Sequence, residues 1–245
     1  MEPKNKSQNG GSLRSKLLTT AADIISRQGL KKLTMRALSY QVGVSRTAPY
    51  RHFKNKDALL LAIAEQGFNE LTVRYQKINR DTSIDSFSRL QNIGLVYIEF
   101  AIKNPGAYKL MFGHEITQHH RPAKLRSAAK ETFNEYLAAV KAFQEDINMT
   151  SDDYAILSNY SWAAVHGLAT LLVDGQIHVS GKKYGMPTLL TDDKLNMIGK
   201  TQSMMAFAKQ TLTNFWDVVL SGVYSKGSIA STSSQSLSPP LVDSS

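Results

Sequence analysis

Apolar residues recur at intervals of three and four along nearly all of this 245-residue chain, and no window shows sustained two-residue alternation. That spacing gathers apolar side chains on one face of a helix, whereas a strand would divide them between its two faces. An all-α fold is the economical reading. Leu17, Leu18, Ala21, Ile24 and Ile25 set the period in a first helix, with Ser12 as its N-cap and Gly29 as an αL stop. Thr34 caps a short second helix with Met35, Leu38 and Val42 on one face. Gly43-Val44-Ser45 reads as a tight turn, and Ser45 as the cap of a third short helix running toward Phe53. Asn55 caps a long fourth helix over 55–79, whose core face is Leu59, Leu60, Ile63, Ala64, Phe68 and Leu71.

The helical period continues through Ile84, Phe87, Leu90, Ile93, Tyr97, Ile98 and Ala101, until Pro105 stops it. A short helix over 108–112 and a break over 113–121 precede a helix containing Leu125, Ala128, Phe133, Leu137, Val140 and Phe143. Two more helices are expected, over about 151–174 and 193–223, joined by a Gly/Lys-rich loop. In the first of these, Trp162, His166, Ala169 and Val173 form one stripe, with Tyr154, Ser161, Val165 and Leu172 beside it. In the last, Ile198, Met205, Ala208, Leu212, Phe215 and Val219 repeat, flanked by Met204, Phe207 and Trp216. These apolar faces are wider than a single buried contact needs. The two helices from each of two copies would close a four-helix interface, so a homodimer through the two C-terminal helices is expected.

Charge is distributed very unevenly. Twelve of the 29 Lys and Arg residues, but only two of the 20 acids, lie within residues 1–56, and the remaining residues are close to neutral. The formal charge of +9 is thus a property of the first quarter of the chain. A basic module on a neutral body implies a polyanion-binding head and a body with another task. Three short helices with a glycine turn between the second and third fit a helix-turn-helix, in which the third helix enters the major groove of duplex DNA. Ser45, Arg46, Thr47, Tyr50 and His52 would supply it with groups for phosphates and base edges. Lys4, Lys6, Arg14 and Lys16 form a basic arm that either enters a minor groove or, more simply, adds salt-dependent attraction.

Other functions are excluded or disfavoured by what the chain lacks. With no cysteine there is no disulfide, thiolate metal site or thiol nucleophile. His114, His119, His120, His166 and His178 could be imagined around a metal with Asp174, but no HExxH or comparable short spacing ties them together. Neither a phosphate-binding glycine loop nor a nucleophile elbow is present. No enzyme, no metal and no cofactor is therefore expected, and a helical metal-dependent enzyme is the weakest alternative. No apolar stretch approaches the ~18 residues that cross a bilayer. The N-terminus lacks the apolar core of a signal peptide, which points to the cytoplasm and to no membrane partner.

The run Leu33-Thr34-Met35-Arg36-Ala37-Leu38, then Val42-Gly43-Val44-Ser45, then Tyr50-Arg51-His52-Phe53-Lys54-Asn55-Lys56-Asp57-Ala58-Leu59-Leu60, resembles the DNA-binding head of the TetR family of bacterial transcriptional regulators. The likeness spans roughly 14–61. Trp162-Ala163-Ala164-Val165-His166-Gly167 and the segment from Asn104 to Gly113 are similar to the WHG-type C-terminal domain of one branch of that family. The resemblance implies a helix-turn-helix head (13–56) and a helical regulatory and dimerisation domain (57–224), while polar, Gly- and Ser-rich composition makes the basic arm (1–12) and the tail (225–245) disordered. It implies double-stranded operator DNA as partner, with Thr34 and Arg36 at the second helix, Arg46, Thr47 and Ala48 where such proteins read bases, and Ser45, Tyr50, His52 and Lys56 toward the phosphates. Phe53 would fill the head's core. Pro49 stands where a bulky apolar residue is usual, and it removes one amide donor from the third helix. A small apolar or aromatic effector would occupy a cavity lined by Tyr97, Tyr108, Met111, Phe112, Phe133, Trp162 and His166. The alternative within DNA binding is a protein indifferent to sequence, for which basic charge alone would suffice.

Overall fold

The structure, a computed structural model, describes residues 8–113, 122–180, 183–187 and 200–233. Among them eight α-helices follow one another: α1 (Gln8–Gln28), α2 (Met35–Val42), α3 (Lys56–Asn79), α4 (Ser86–Lys103), α5 (Pro105–Phe112), α6 (Ala123–Asp146), α7 (Ser151–Val173) and α8 (Lys200–Ser233). Of the expected caps, Thr34 and Asn55 form: Thr34 Oγ1 accepts from the Ala37 amide at 3.0 Å and Asn55 Oδ1 from Ala58 at 2.8 Å. Ser45 caps no helix, its Oγ meeting Thr47 Oγ1 instead, and Asp85, not singled out in the sequence, caps α4 by accepting from Ser88 at 2.8 Å. Gly43 ends α2 in the left-handed region (φ 76°, ψ 40°), which a residue with a Cβ enters only at a cost. Pro105 opens α5, where its missing N–H would have had no helical partner anyway.

Five expectations are corrected. Helix α1 starts at Gln8, so Ser12 lies within it and is not its cap, and Arg14 and Lys16 belong to a helix and not to an arm. Extending a helix upstream adds one hydrogen bond per residue once its apolar face is docked. Gly29 does end α1, but at φ 84° and ψ 160°, a mirror-extended geometry and not αL. The Gly/Lys-rich loop contains two short antiparallel strands, β1 (Ile177–Ser180) and β2 (Lys183–Pro187), with Ile177 opposite Pro187 and His178 opposite Met186. Four residues of alternation were too few to register against the helical pattern. Helix α8 runs on to Ser233, into the segment read as a disordered tail, and the expected start of the last helix, over 193–199, lies outside the described residues. Finally, Tyr154–Val173 is long and apolar enough by composition to cross a membrane, although no uninterrupted apolar run approaches that length. Leu157, Leu168, Ala169 and Leu172 are buried against the other helices, and its serine, histidine and threonine side chains bond to neighbouring tyrosines. The remaining arm residues, including Lys4 and Lys6, and Ile198 lie outside the described residues.

The third helix of the head is the sixth difference and bears most on function. From Ser45 to Arg51 the amides bond three residues back: Ala48 to Ser45 at 3.0 Å, Tyr50 to Thr47 at 3.2 Å, Arg51 to Ala48 at 3.2 Å. Pro49–Arg51 is a 3₁₀ turn, and no α-helix forms there. Proline explains it: Pro49 has no N–H for the Ser45 carbonyl, so the i−4 ladder cannot start.

One hydrophobic core runs through both halves of the molecule. Leu17, Ala21 and Ile24 of α1 meet Leu33, Leu38, Phe53 and Leu59, all buried, and each large side chain contributes about 1.5–3 kcal/mol relative to exposure. Helix α3 leaves this cluster and continues between α5 and α6. Helix α1 packs on α5 through Gly106, where a Cβ would overlap the Ala22 carbonyl oxygen. That oxygen is backbone and cannot step aside. Gly106→Ala should therefore lower unfolding stability by about 1–3 kcal/mol, read as a shift in urea midpoint; an unchanged midpoint would refute the tight α1–α5 contact.

Candidate DNA-binding head and effector cavity

Between Asp23 and Asp57 the sequence holds no acidic residue. The head therefore presents an uninterrupted positive field to any polyanion. Thr34, Arg36, Ser45, Arg46, Thr47 and Tyr50 are all exposed, whereas Ala48 and His52 are half-buried. Ser45 Oγ and Thr47 Oγ1 lie 3.3 Å apart at the start of the turn. Capped by Thr34, α2 has first-turn amides without helical partners, which is the kind of N-terminus that suits a phosphate. Phe53 is buried as expected, and the Arg14 guanidinium sits 5.3 Å from its ring centre, tying α1 to the head's core. Lys56 is half-committed: its Nζ donates to the Leu30 carbonyl at 3.0 Å, which holds the start of α3 against the α1–α2 link. Tyr40 was not singled out, yet it is 90% exposed on α2. Its signal in the sequence was available, since it falls off the Met35, Leu38 and Val42 face.

The second site lies in the body. A cavity of about 300 Å³ is lined by Phe68 and Tyr75 of α3, Tyr97 of α4, Phe112 of α5, Ala129, Lys130, Thr132, Phe133 and Tyr136 of α6, and Trp162 of α7. Seven of these ten residues are aromatic. The rings meet edge to face, as between Phe133 and Trp162 at 5.7 Å and 89° or Tyr97 and Phe112 at 5.7 Å and 66°. Of the expected lining, Tyr97, Phe112, Phe133 and Trp162 surround the space. Tyr108 and His166 stand behind it and Met111 is fully buried, with its sulfur beside Gly67. Phe68, Tyr75, Thr132 and Tyr136 were missed as lining. The α3 core face, read as far as Leu71, continues one turn on to Tyr75, so that part was recoverable.

Behind the rings, polar atoms satisfy one another. His166 Nδ1 lies 2.7 Å from the Tyr97 hydroxyl and 3.2 Å from that of Tyr108, which also meets Thr170 Oγ1 at 2.8 Å. His166, expected to line the cavity, thus pairs with tyrosine hydroxyls behind it. Its ring stacks on Trp162 one turn away, 5.2 Å between centres and 17° from parallel. Tyr136 donates to the Ser158 carbonyl and meets Ser161 Oγ, each at 2.6 Å. Burial pushes the Tyr136 phenol up to about 12 and raises Tyr97 and Tyr108 as well, so all three keep their protons. Burial lowers His166 and keeps it neutral. The C-terminal helices divide their apolar residues between core and surface. Ala169, Leu172, Ala208, Leu212 and Trp216 face the core, and Ile156, Tyr160, Leu171 and Val218 face outward. No group of three or more metal-ligating side chains occurs among the described residues, and His114, His119 and His120 lie outside them.

Residues 17–63 match the family model described as bacterial regulatory proteins, tetR family, and residues 90–187 match that of the tetracyclin repressor-like C-terminal domain. Together the matches account for more than half of the chain. Over 104 residues the chain is 35% identical to the nucleoid occlusion factor SlmA of Pectobacterium carotovorum, covering 42% of this chain and 52% of that protein. It thus spans about half the length of the curated relatives it matches. A protein of unknown function from Rhodococcus sp. RHA1 shares the fold at a TM-score of 0.61 and 23% identity, over 86% of this chain and 98% of that one. The TetR family transcriptional regulator PfmR of Thermus thermophilus superposes at a TM-score of 0.54 with 17% identity, over 64% and 84% of the two chains.

The neutral imidazole has a consequence for stability. An unfolded histidine titrates near 6.5, above the lowered value of His166 in the fold. As pH falls through about 6.5 the unfolded state takes up the proton first, and stability declines with it. Melting temperature should drop more steeply below about pH 6.5 in the wild type than in His166→Gln, and parallel melting profiles for the two would refute this.

Proposed function

This chain belongs to the tetR family of bacterial regulatory proteins, and from that premise we propose that it is a ligand-responsive transcriptional repressor. Membership makes it a DNA-binding regulator and not an enzyme. In the proposed cycle a homodimer binds a palindromic operator in the cytoplasm when unliganded. A small apolar or aromatic effector then enters the body cavity and releases the DNA. We assign operator contact to Thr34, Arg36, Ser45, Arg46, Thr47, Ala48, Tyr50 and His52, with base reading centred on Arg46, and add Tyr40. Lys56 joins them through whatever donors Leu30 leaves free. The working units are the head over 13–56 and the body over 57–224.

One observation carries the reading: α3 is shared by both sites. Leu59 and Leu60 at its start are buried in the head's core, and Phe68 and Tyr75 further along line the cavity. A ligand that displaces the cavity wall therefore acts on the same rigid element that seats the head. Such coupling needs a difference in ligand affinity between the DNA-bound and released states, typically about 1–3 kcal/mol. The partner face is supported by an outward stripe on α7, where Ile156, Tyr160 and Leu171 are exposed and a Cβ at Gly167 would meet nothing. Val218 adds to it from α8.

A second reading comes from the relatives named as nucleoid occlusion factors: a role at the nucleoid in place of control of a few genes. Genome-wide fragment selection with the purified protein separates the two. A regulator should enrich a few palindromic sites with half-sites about one helical turn apart, beside the genes it controls. Many sites scattered away from promoters would favour the second reading, and equal displacement of every fragment by random DNA would defeat both. On the selected operator, Arg46→Ala should weaken binding about 10- to 100-fold while leaving affinity for random DNA nearly unchanged. Equal loss on both would remove Arg46 from base reading.

A further inference from the structure

Within the cavity wall, one polar group stands apart from the rest. The Tyr97 hydroxyl is taken by His166, that of Tyr136 by Ser158 and Ser161, and that of Thr132 by the Phe68 carbonyl at 2.9 Å. Tyr75 is only 3% exposed and lines the cavity, yet its hydroxyl makes no hydrogen bond among the described residues. Asn79 Oδ1 and Arg89 Nε are the side-chain polar atoms fully buried without a partner among the described residues, and the Tyr75 oxygen is not one of them, so it opens onto the space its ring lines. Burial also raises the Tyr75 phenol far above its usual range, so the group keeps its proton and remains a donor. Among the described residues the lining carries no carboxylate, and the one charged residue there, Lys130, is exposed and positive.

We propose that the cavity selects a flat aromatic compound of one to three rings with a hydrogen-bond acceptor, a carbonyl or carboxylate, placed against the Tyr75 hydroxyl, and that it discriminates against cations. This deepens the effector reading above and rests on it. The volume of about 300 Å³ lies at the lower end for small-molecule sites and limits the ring count. Seven aromatic rings in the wall offer faces and edges against which a planar aromatic guest can pack. A carbonyl or carboxylate oxygen would complete the donor that the fold leaves open. A cation would have to shed its water with no carboxylate to receive it. Cation–π attraction from the rings opposes that penalty, but one face of the Trp162 indole, the strongest ring for such contact, is already covered by His166. Tyr75 is thus a specificity-determining residue.

The test is equilibrium dialysis of the purified full chain with three probes matched in shape: naphthalene, 2-acetylnaphthalene and trimethyl(2-naphthyl)ammonium. The acetyl compound should bind about tenfold more tightly than naphthalene, and the ammonium more weakly than both. Tyr75→Phe should erase the acetyl advantage while leaving naphthalene affinity unchanged, which also reports that the variant is folded. Equal affinities for naphthalene and the acetyl compound, an advantage that survives in Tyr75→Phe, tightest binding of the ammonium, or no binding of any probe would each overturn the proposal. Operator affinity measured on the same samples separates the two claims. Tyr75-dependent binding without DNA release upholds the site and sinks effector control, whereas release by all three probes alike does the reverse.

Discussion

Helix α3 cannot shift without disturbing both the seat of the DNA-binding head and the wall of the aromatic cavity. Its first turns hold Leu59, Leu60 and Ile63 in the head's core, and Phe68 and Tyr75 stand in the body. Helices are stiff along their axes, so displacement at one end is delivered to the other with little loss. The contacts at its flanks set how it moves. Asn55 caps its start and Lys56 ties that start to Leu30. The Met111 sulfur lies against Gly67 at the middle, where no larger residue would fit without moving its neighbours. Near its end Asn79 donates to the Glu135 carbonyl at 3.0 Å and carboxylate at 2.8 Å. The cavity side chains therefore face a single lever, already clamped at the DNA end.

The body manages its polar atoms by pairing tyrosines with helix α7. Tyr97 and Tyr108 reach His166 and Thr170, and Tyr136 reaches Ser158 and Ser161. This is how a helix apolar enough to cross a membrane sits in a protein core: Ser161, His166 and Thr170 are turned toward tyrosines on α6, α4 and α5. The same bonds fix the rings that wall the cavity, because a tyrosine with its hydroxyl anchored has little rotamer freedom left. Among the tyrosines of the cavity wall, Tyr75 escapes this arrangement.

Much of the fold was legible in one sequence. Helix existence, the caps at Thr34 and Asn55, the Gly43 turn and the burial of Phe53 follow from spacing and from local backbone chemistry, which act over four residues or fewer. The cavity was only partly legible. Tyr97, Phe112, Phe133 and Trp162 were recognisable as aromatic residues on core faces, but Tyr108 and Met111 were equally eligible, and they turn out to lie behind the wall. Periodicity gives the face of a helix and not the distance to the helix opposite. The winding of the third head helix was half legible, since Pro49 announced a lost donor but not that turns and a 3₁₀ segment over Pro49–Arg51 would replace the α-helix.

What the sequence by itself determined, then, is a basic head whose acid-free run from Ile24 to Lys56 makes it a polyanion binder, and a neutral helical body large enough for a second task. Charge and local propensity are additive along a chain, so they can be read without knowing what packs on what. Tertiary structure alone decided which aromatic rings enclose space and which fill it. It also decided that α7 turns Ile156 and Tyr160 outward while burying Leu157 and Leu168, and that the Tyr75 hydroxyl is left unpaired in the cavity wall. Those outcomes depend on distances between residues tens of positions apart, and such distances are set by how helices dock.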